Sequence, residues 1–429
     1  LQTGFNHSCH HPSVHKIPVK EVERNPKALH NTIFKKYKRK EMLEGGRPSE
    51  CDYCWNIEDN SNAYSDRVYK SSEPWSKPHF DEIVSSDWKK DFNPRYVEVS
   101  FSNTCNFKCS YCGPAYSSKW LQESKEHGAY PTTPPFNGYD SLVSENSVPI
   151  LQSEYNPYVD AFWKWWPELY NDLNTFRITG GEPLLSKDTW KVLDYIIENP
   201  NPNRELKFAI NSNLGVIDDL IDRLIEKLKI IIGENRVKEI ILFTSVDAWG
   251  KQAEYIRNGL VFNKFWDNLN KILETLPTVT VTIMSTYNIM SPFSYNTLIK
   301  NVHQLKSQYQ NDSRYWLHPI HLDTSYLRYP SHQSVRLLDN EHKKLILDNA
   351  ELALYLGVPV FNRTDMGMTQ VETEKIKRIY DWAISEDGNN LQRERQNFKR
   401  FVDEHDRRRG TNFVETFPEL EEFYKNIKL

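Results

Sequence analysis

Three cysteines crowd one short stretch: Cys105, Cys109 and Cys112, within S-F-S-N-T-C-N-F-K-C-S-Y-C-G at residues 100–113. The spacing is C-x3-C-x-aromatic-C. Three thiolates so placed can hold three irons of a cubane cluster and leave the fourth iron open, whereas a cluster that only carries electrons normally takes four cysteines. An open iron is a place for chemistry. Zinc fits less well, because structural zinc wants four Cys or His ligands and no histidine stands within or just beyond the triplet. Six cysteines in 429 residues do not make a stapled secreted scaffold either.

A second motif follows at residues 176–183, F-R-I-T-G-G-E-P, a β-type run entering a glycine turn that ends in a carboxylate. The two motifs, in this order and each after a β-type segment, resemble the radical S-adenosylmethionine (SAM) superfamily. The resemblance implies a 4Fe-4S cluster on Cys105, Cys109 and Cys112 whose open iron chelates SAM. It implies that Tyr111 packs near the adenine and that Gly180, Gly181 and Glu182 receive the methionyl amino group. Ser212 and Asn213 then stand near SAM, Ser245 and Asp247 near the ribose, and Arg257 near the SAM carboxylate. On residues alone, Asp247 equally suits a helix cap and Arg257 a surface ion pair.

The other three cysteines precede this region. Gly4 and Cys9 form G-x4-C, and Cys51 and Cys54 form C-x2-C. Their order resembles the twitch or SPASM auxiliary-cluster modules of radical SAM enzymes, with one departure: those modules usually follow the core. The resemblance implies a second 4Fe-4S cluster and a further cysteine upstream of Leu1. The alternative is zinc, for which Cys9, Cys51 and Cys54 with His10, His11 or His15 supply enough ligands.

The elements that must position these residues read as alternating β and α segments. Strands are expected at 96–101, 175–179, 206–211, 239–246, 279–284 and, more weakly, 316–322. Apolar stripes at 190–197, 218–231 and 265–276 predict helices packed on a sheet. The fold expected is α/β, a partial (β/α)6 barrel, whose active site gathers at the C-terminal strand ends. Three regions follow: an N-terminal cysteine module at 1–90, the barrel at 91–330 and a helical extension at 331–429. Within the extension, helices are expected at 340–355, 371–384 and 391–405, and the charged stretch 385–410 reads as partly mobile. An insertion at 127–157 and the aromatic run at 162–166 suit either a packing helix or a substrate wall able to hold an extended peptide.

Composition narrows the partners. The net charge is -4, 26% of residues are charged and 13% aromatic, enough for a core and without a basic groove for nucleic acid. The basic run Lys35–Lys40 reads as a solvated helix face. No apolar stretch is long enough for a membrane span, and iron-sulfur chemistry suits a reducing cytoplasm. The chemistry implied is reductive SAM cleavage to a 5′-deoxyadenosyl radical that abstracts hydrogen, with oxidative modification of a peptide first among substrates. A small sugar or amino-alcohol metabolite and RNA are the alternatives. The electron would come from a flavodoxin or ferredoxin. No cysteine follows Cys112, so a later thiol donor is excluded.

Overall fold

The computed structural model describes residues 1–9, 11–309, 319–357, 367–385 and 390–429. Six parallel strands form its centre: β1 (Tyr96–Ser100), β2 (Thr175–Thr179), β3 (Lys207–Asn211), β4 (Glu239–Ser245), β5 (Thr280–Tyr287) and β6 (Ile320–Tyr326). Each pairs with the next in sequence, so the sheet runs β1 to β6 in chain order. β2 and β4 alternate half-buried and buried residues along their length. The buried set meets the surrounding helices and the half-buried set lines the interior, as period-2 side chains require. The sixth strand begins later than expected, at Ile320, and residues 316–318 of the expected run lie outside those described.

The helices repeat one solution. Asp218–Gly233 buries Ile221, Leu224, Ile225, Leu228 and Ile231, an i, i+3, i+4 stripe laid on the sheet. Lys187–Glu198 and Phe262–Thr275 do the same with Trp190, Leu193 and Ile196, and with Phe265, Leu269 and Ile272.

β6 ends the sheet and its edge is covered rather than open. The Leu322 backbone N–H donates to Glu372 Oε1 at 2.6 Å. Glu372 lies in the helix Gln370–Ile384, whose N-terminus is closed by a capping box with Thr369. Both Glu372 oxygens accept from Lys306 Nζ at 2.8 and 2.7 Å, and Lys306 is fully buried. One buried ion pair thus fastens the helix Pro292–Gln308, the helix Gln370–Ile384 and the last strand together.

Several expectations change here. The aromatic run lies in the helix Pro157–Asp172, where Phe162, Trp165 and Trp166 are buried. Phe162 meets Phe101 edge-on at 5.0 Å and Trp166 packs on Phe176 at 4.7 Å. Only Trp163 is half-exposed, and its indole N–H is held by Asp188 at 2.8 Å. This is a packing helix, not a substrate wall. In the insertion, Tyr130 and Phe136 are bridged and buried, with Tyr130 stacked on Phe401 at 5.0 Å. The helix expected at 391–405 runs on to Arg409 with Phe398, Phe401, Val402 and His405 in the core, so this part of the stretch read as partly mobile is packed. The basic run lies on a half-exposed helix with no buried residue, and some of its lysines are paired. In the helix Ile33–Leu43 the exposed residues include Ile33, Phe34 and Tyr37, while Lys36 pairs with Asp91 and Lys38 with Glu41. No described helix is long and apolar enough to cross a membrane.

Candidate active site at the C-terminal strand ends

The cysteine loop leaves β1 and is fixed from three sides. Toward β2, the Gly181 and Glu182 N–H groups donate to the Ser102 and Thr104 carbonyls at 3.1 and 2.7 Å, so the two motifs are stitched backbone to backbone. A Cβ at Gly181 would overlap the Thr104 carbonyl oxygen, and Gly180 has φ +123° with the same crowding against Ser100 and Ser102. Both positions need glycine, one for space and the other for conformation as well. Toward β4, Lys108–Cys109 pairs antiparallel with Arg257–Asn258, and the Ser110 N–H donates to the Ile256 carbonyl at 2.8 Å. On the outer side, Gln333 accepts from Ser110 Oγ at 2.8 Å and donates to the Ser110 carbonyl at 3.0 Å. Trp120 Nε1 donates to the Cys109 carbonyl at 2.9 Å and Arg409 Nη1 to the Lys108 carbonyl at 2.9 Å.

Within this frame the thiols of Cys105, Cys109 and Cys112 act on one another electrostatically. Burial pushes all three upward, Cys112 to about 12. Binding iron would therefore expel protons. N–H groups already point at two of the sulfurs: Phe107 N–H at 3.4 Å from Cys105 Sγ and Arg257 Nη1 at 3.8 Å from Cys109 Sγ.

Glu182 is 2% exposed and accepts from Ser212 Oγ (2.9 Å), the Leu184 N–H (3.0 Å) and the Asn213 N–H (2.7 Å). These donors are neutral, and burial lifts its carboxyl to about 7 despite them. Three of roughly four lone-pair sites are used. A buried carboxylate with one site left and only neutral donors suits an ammonium ligand. Ser212 and Asn213 thus serve Glu182 first, and the Asn213 side chain also donates to Asn106 Oδ1 at 2.8 Å.

Asp247 and Arg257 come together as a buried pair, which settles neither as helix cap nor as surface ion pair. Arg257 Nε and Nη2 donate to the two Asp247 oxygens at 2.8 and 2.9 Å. The same oxygens accept from Tyr111 OH at 2.8 Å and the Thr286 N–H at 2.8 Å. Burial works against the Arg257 charge, but Asp247, Tyr111 and Cys109 outweigh it and hold the guanidinium protonated. Ser245 ends β4, half-buried and opposite Met284 of β5.

Among the N-terminal cysteines, Cys51 is influenced by both others. Burial raises the Cys51 thiol, followed by the influence of Cys54 and, more weakly, Cys9. His11 pairs with Asp66 and stacks on Tyr53 at 3.8 Å, and His15 bonds Thr32 Oγ1 at 3.1 Å. Burial drops His15 to about 4. His10 lies outside the described residues. Among the described residues no three His, Cys, Asp or Glu side chains form a group that could hold a single metal ion.

Gln333, Arg409, Trp120 and Asn106 were not foreseen. Only Trp120 had a local signal, as the third residue of a helix capped by Ser117. Asn106 stands within the loop itself and bonds Asn213, while Gln333 and Arg409 reach the loop from positions far along the chain.

GTP 3′,8-cyclases of Vibrio cholerae serotype O1, strains O395 and El Tor Inaba N16961, are 25% identical over 162 residues, covering 34% of this chain. The match spans 39% of those relatives' own length. A solved structure described as "Native anSMEcpe with bound AdoMet and Cp18Cys peptide" covers 61% of this chain and 60% of its own, at 14% identity and a TM-score of 0.32, too distant to bear on reaction or substrate. Residues 99–289 match the Radical SAM superfamily, and the chain carries a radical SAM superfamily domain.

Proposed function

We propose that this protein is a radical SAM enzyme that oxidises its substrate by hydrogen abstraction, with Cys105, Cys109 and Cys112 as the ligands of a site-differentiated 4Fe-4S cluster. The observation that carries the reading is the stitching of the cysteine loop to the Gly180–Gly181–Glu182 turn at the C-terminal ends of β1 and β2. When bound, the reduced cluster and SAM supply a 5′-deoxyadenosyl radical that takes hydrogen from the substrate. The chain's part is to bind and aim. Glu182 offers a buried acceptor to the methionyl ammonium, and the Gly180 and Gly181 backbone allows its close approach. Arg257 keeps two of its five N–H groups for a carboxylate after serving Asp247 and Cys109. Tyr111 is anchored by its hydroxyl, so its ring is fixed beside the loop. All four polar positions on Asp247 are taken, so ribose recognition falls to Ser245.

The G-x4-C and C-x2-C spacing of Cys9, Cys51 and Cys54, with the electrostatic influence of Cys54 and Cys9 on Cys51, supports an auxiliary 4Fe-4S cluster that accepts the substrate's electron. A cytoplasmic setting with a flavodoxin- or ferredoxin-type donor, and a peptide as substrate, accord with that arrangement. A small nucleotide or sugar metabolite is the second reading. It is favoured by the likeness to GTP 3′,8-cyclases and by burial of the insertion that would have held a peptide. The test is anaerobic reconstitution with iron and sulfide, then SAM and dithionite. Release of 5′-deoxyadenosine and methionine supports the reading if Cys109→Ala abolishes it. Equal release from both proteins, or none from either, refutes it.

A further inference from the structure

The Arg257–Asp247 pair does more than SAM binding requires. Arg257 is 7% exposed and Asp247 is fully buried. Arg257 is fixed at both ends: its backbone pairs with Cys109 in the two-residue ladder, and its guanidinium is clamped through Nε and Nη2 by Asp247. Asp247 is fixed in turn by Tyr111 OH and the Thr286 N–H. What remains of this rigid arrangement points Nη1 at Cys109 Sγ, 3.8 Å away. Hydrogen bonds to cluster sulfurs and nearby net charge tune iron-sulfur potentials, and such charges act strongly where water is excluded.

We propose that Arg257 sets the reduction potential of the cluster held by the cysteine loop, by placing its positive charge against the Cys109 sulfur, and that Asp247 limits how much of that charge the sulfur feels. The proposal rests on the radical SAM reading of the loop. Reduction adds one electron from an external low-potential one-electron donor and makes the cluster one charge more negative. A fixed cation on its ligand sulfur favours that state, and a fixed anion behind the cation moderates it. Arg257 is thus a positioning and tuning residue.

The test is an EPR-monitored redox titration of the full-length reconstituted protein, with iron content measured for each sample. Wild type is compared with Arg257→Gln, Arg257→Lys and Asp247→Asn. At a fixed solution potential the reduced-to-oxidised ratio of Arg257→Gln should fall about tenfold, which for one electron is about 59 mV downward. Asp247→Asn should move the ratio upward, and Arg257→Lys should fall between wild type and Arg257→Gln. Shifts of the same sign in the Gln and Asn variants, as general loosening of the loop would cause, overturn the proposal, and so do unchanged titrations. If Arg257→Gln fails to retain iron, the Asp247→Asn and Arg257→Lys titrations decide. If wild type shows no reducible cluster signal, the radical SAM reading itself fails and takes the proposal with it.

Discussion

The protein brings cysteines together in two places, and it does so in opposite ways. Cys105, Cys109 and Cys112 sit in one loop, but the groups that hold the loop come from the whole chain: Gly181, Arg257, Gln333 and Arg409. Cys9, Cys51 and Cys54 are dispersed in sequence, yet their surroundings are local: two-residue strands, short helices and half-exposed pairs such as Arg67–Glu58. The first region braces its thiol-bearing loop with bonds from distant parts of the chain. The second draws its thiols from separate short elements of a segment that is itself fastened to the barrel, as where Tyr158 OH donates to the Ile17 carbonyl at 3.1 Å.

The contrast can be broken at its strongest point, the barrel edge. Lys306→Met should leave Glu372 buried without its cation and destabilise the fold by about 3–5 kcal/mol, read as a lower urea midpoint. A change under about 1 kcal/mol would mean that the edge is not held by this pair. Gly181→Ala comes next. Its Cβ meets backbone, which cannot swing away, so a cost of about 1–3 kcal/mol is expected, with weaker SAM binding by calorimetry. Retained stability and affinity would show that the motifs are not rigidly stitched.

Glu123 gives a pH-dependent test of the brace behind the loop. Burial opposes its charge, but Arg409, Lys108 and Tyr130 outweigh burial and hold it down at about 2. A depressed carboxyl stabilises the fold above its ordinary value of 4.5, and that contribution is lost as pH falls toward about 2. The stability gap between wild type and Glu123→Gln should therefore be full at neutral pH and shrink between those two values. A gap independent of pH would contradict the assignment. At the small end, Arg67→Ala in the N-terminal segment removes a half-exposed pair with Glu58 and a stack on Trp55. The expected cost is about 1 kcal/mol or less, and a larger one would make this segment as tightly built as the barrel.

Much of the barrel was legible in the sequence because its signals are local. β2 runs Thr175–Thr179 as its β-rich composition predicts, and the stripe from Ile221 to Ile231 announces its helix. The cysteine triplet and the glycine turn are likewise contiguous. The supports were not legible, for the same reason in reverse. Nothing near Gln333 or Arg409 signals a bond to a loop some hundreds of residues away. A helix was expected over 391–405, but the charged stretch 385–410 looked partly mobile because charges dominate its composition. Yet Arg408 lies over the Tyr130 ring at 4.1 Å and Arg409 over Trp120 at 4.7 Å, so two of those charges are core contacts. The aromatic run misled in the same manner, since its partners are Phe101, just past the end of β1, and Phe176 of β2.

The most direct measurement is iron and sulfide content of anaerobically reconstituted wild-type protein against the Cys105→Ala/Cys109→Ala/Cys112→Ala triple variant. With two cubane sites, the count should fall from about eight irons to about four, and SAM cleavage should vanish with the lost four. An iron count that does not change when the three cysteines are removed would contradict the account at its centre.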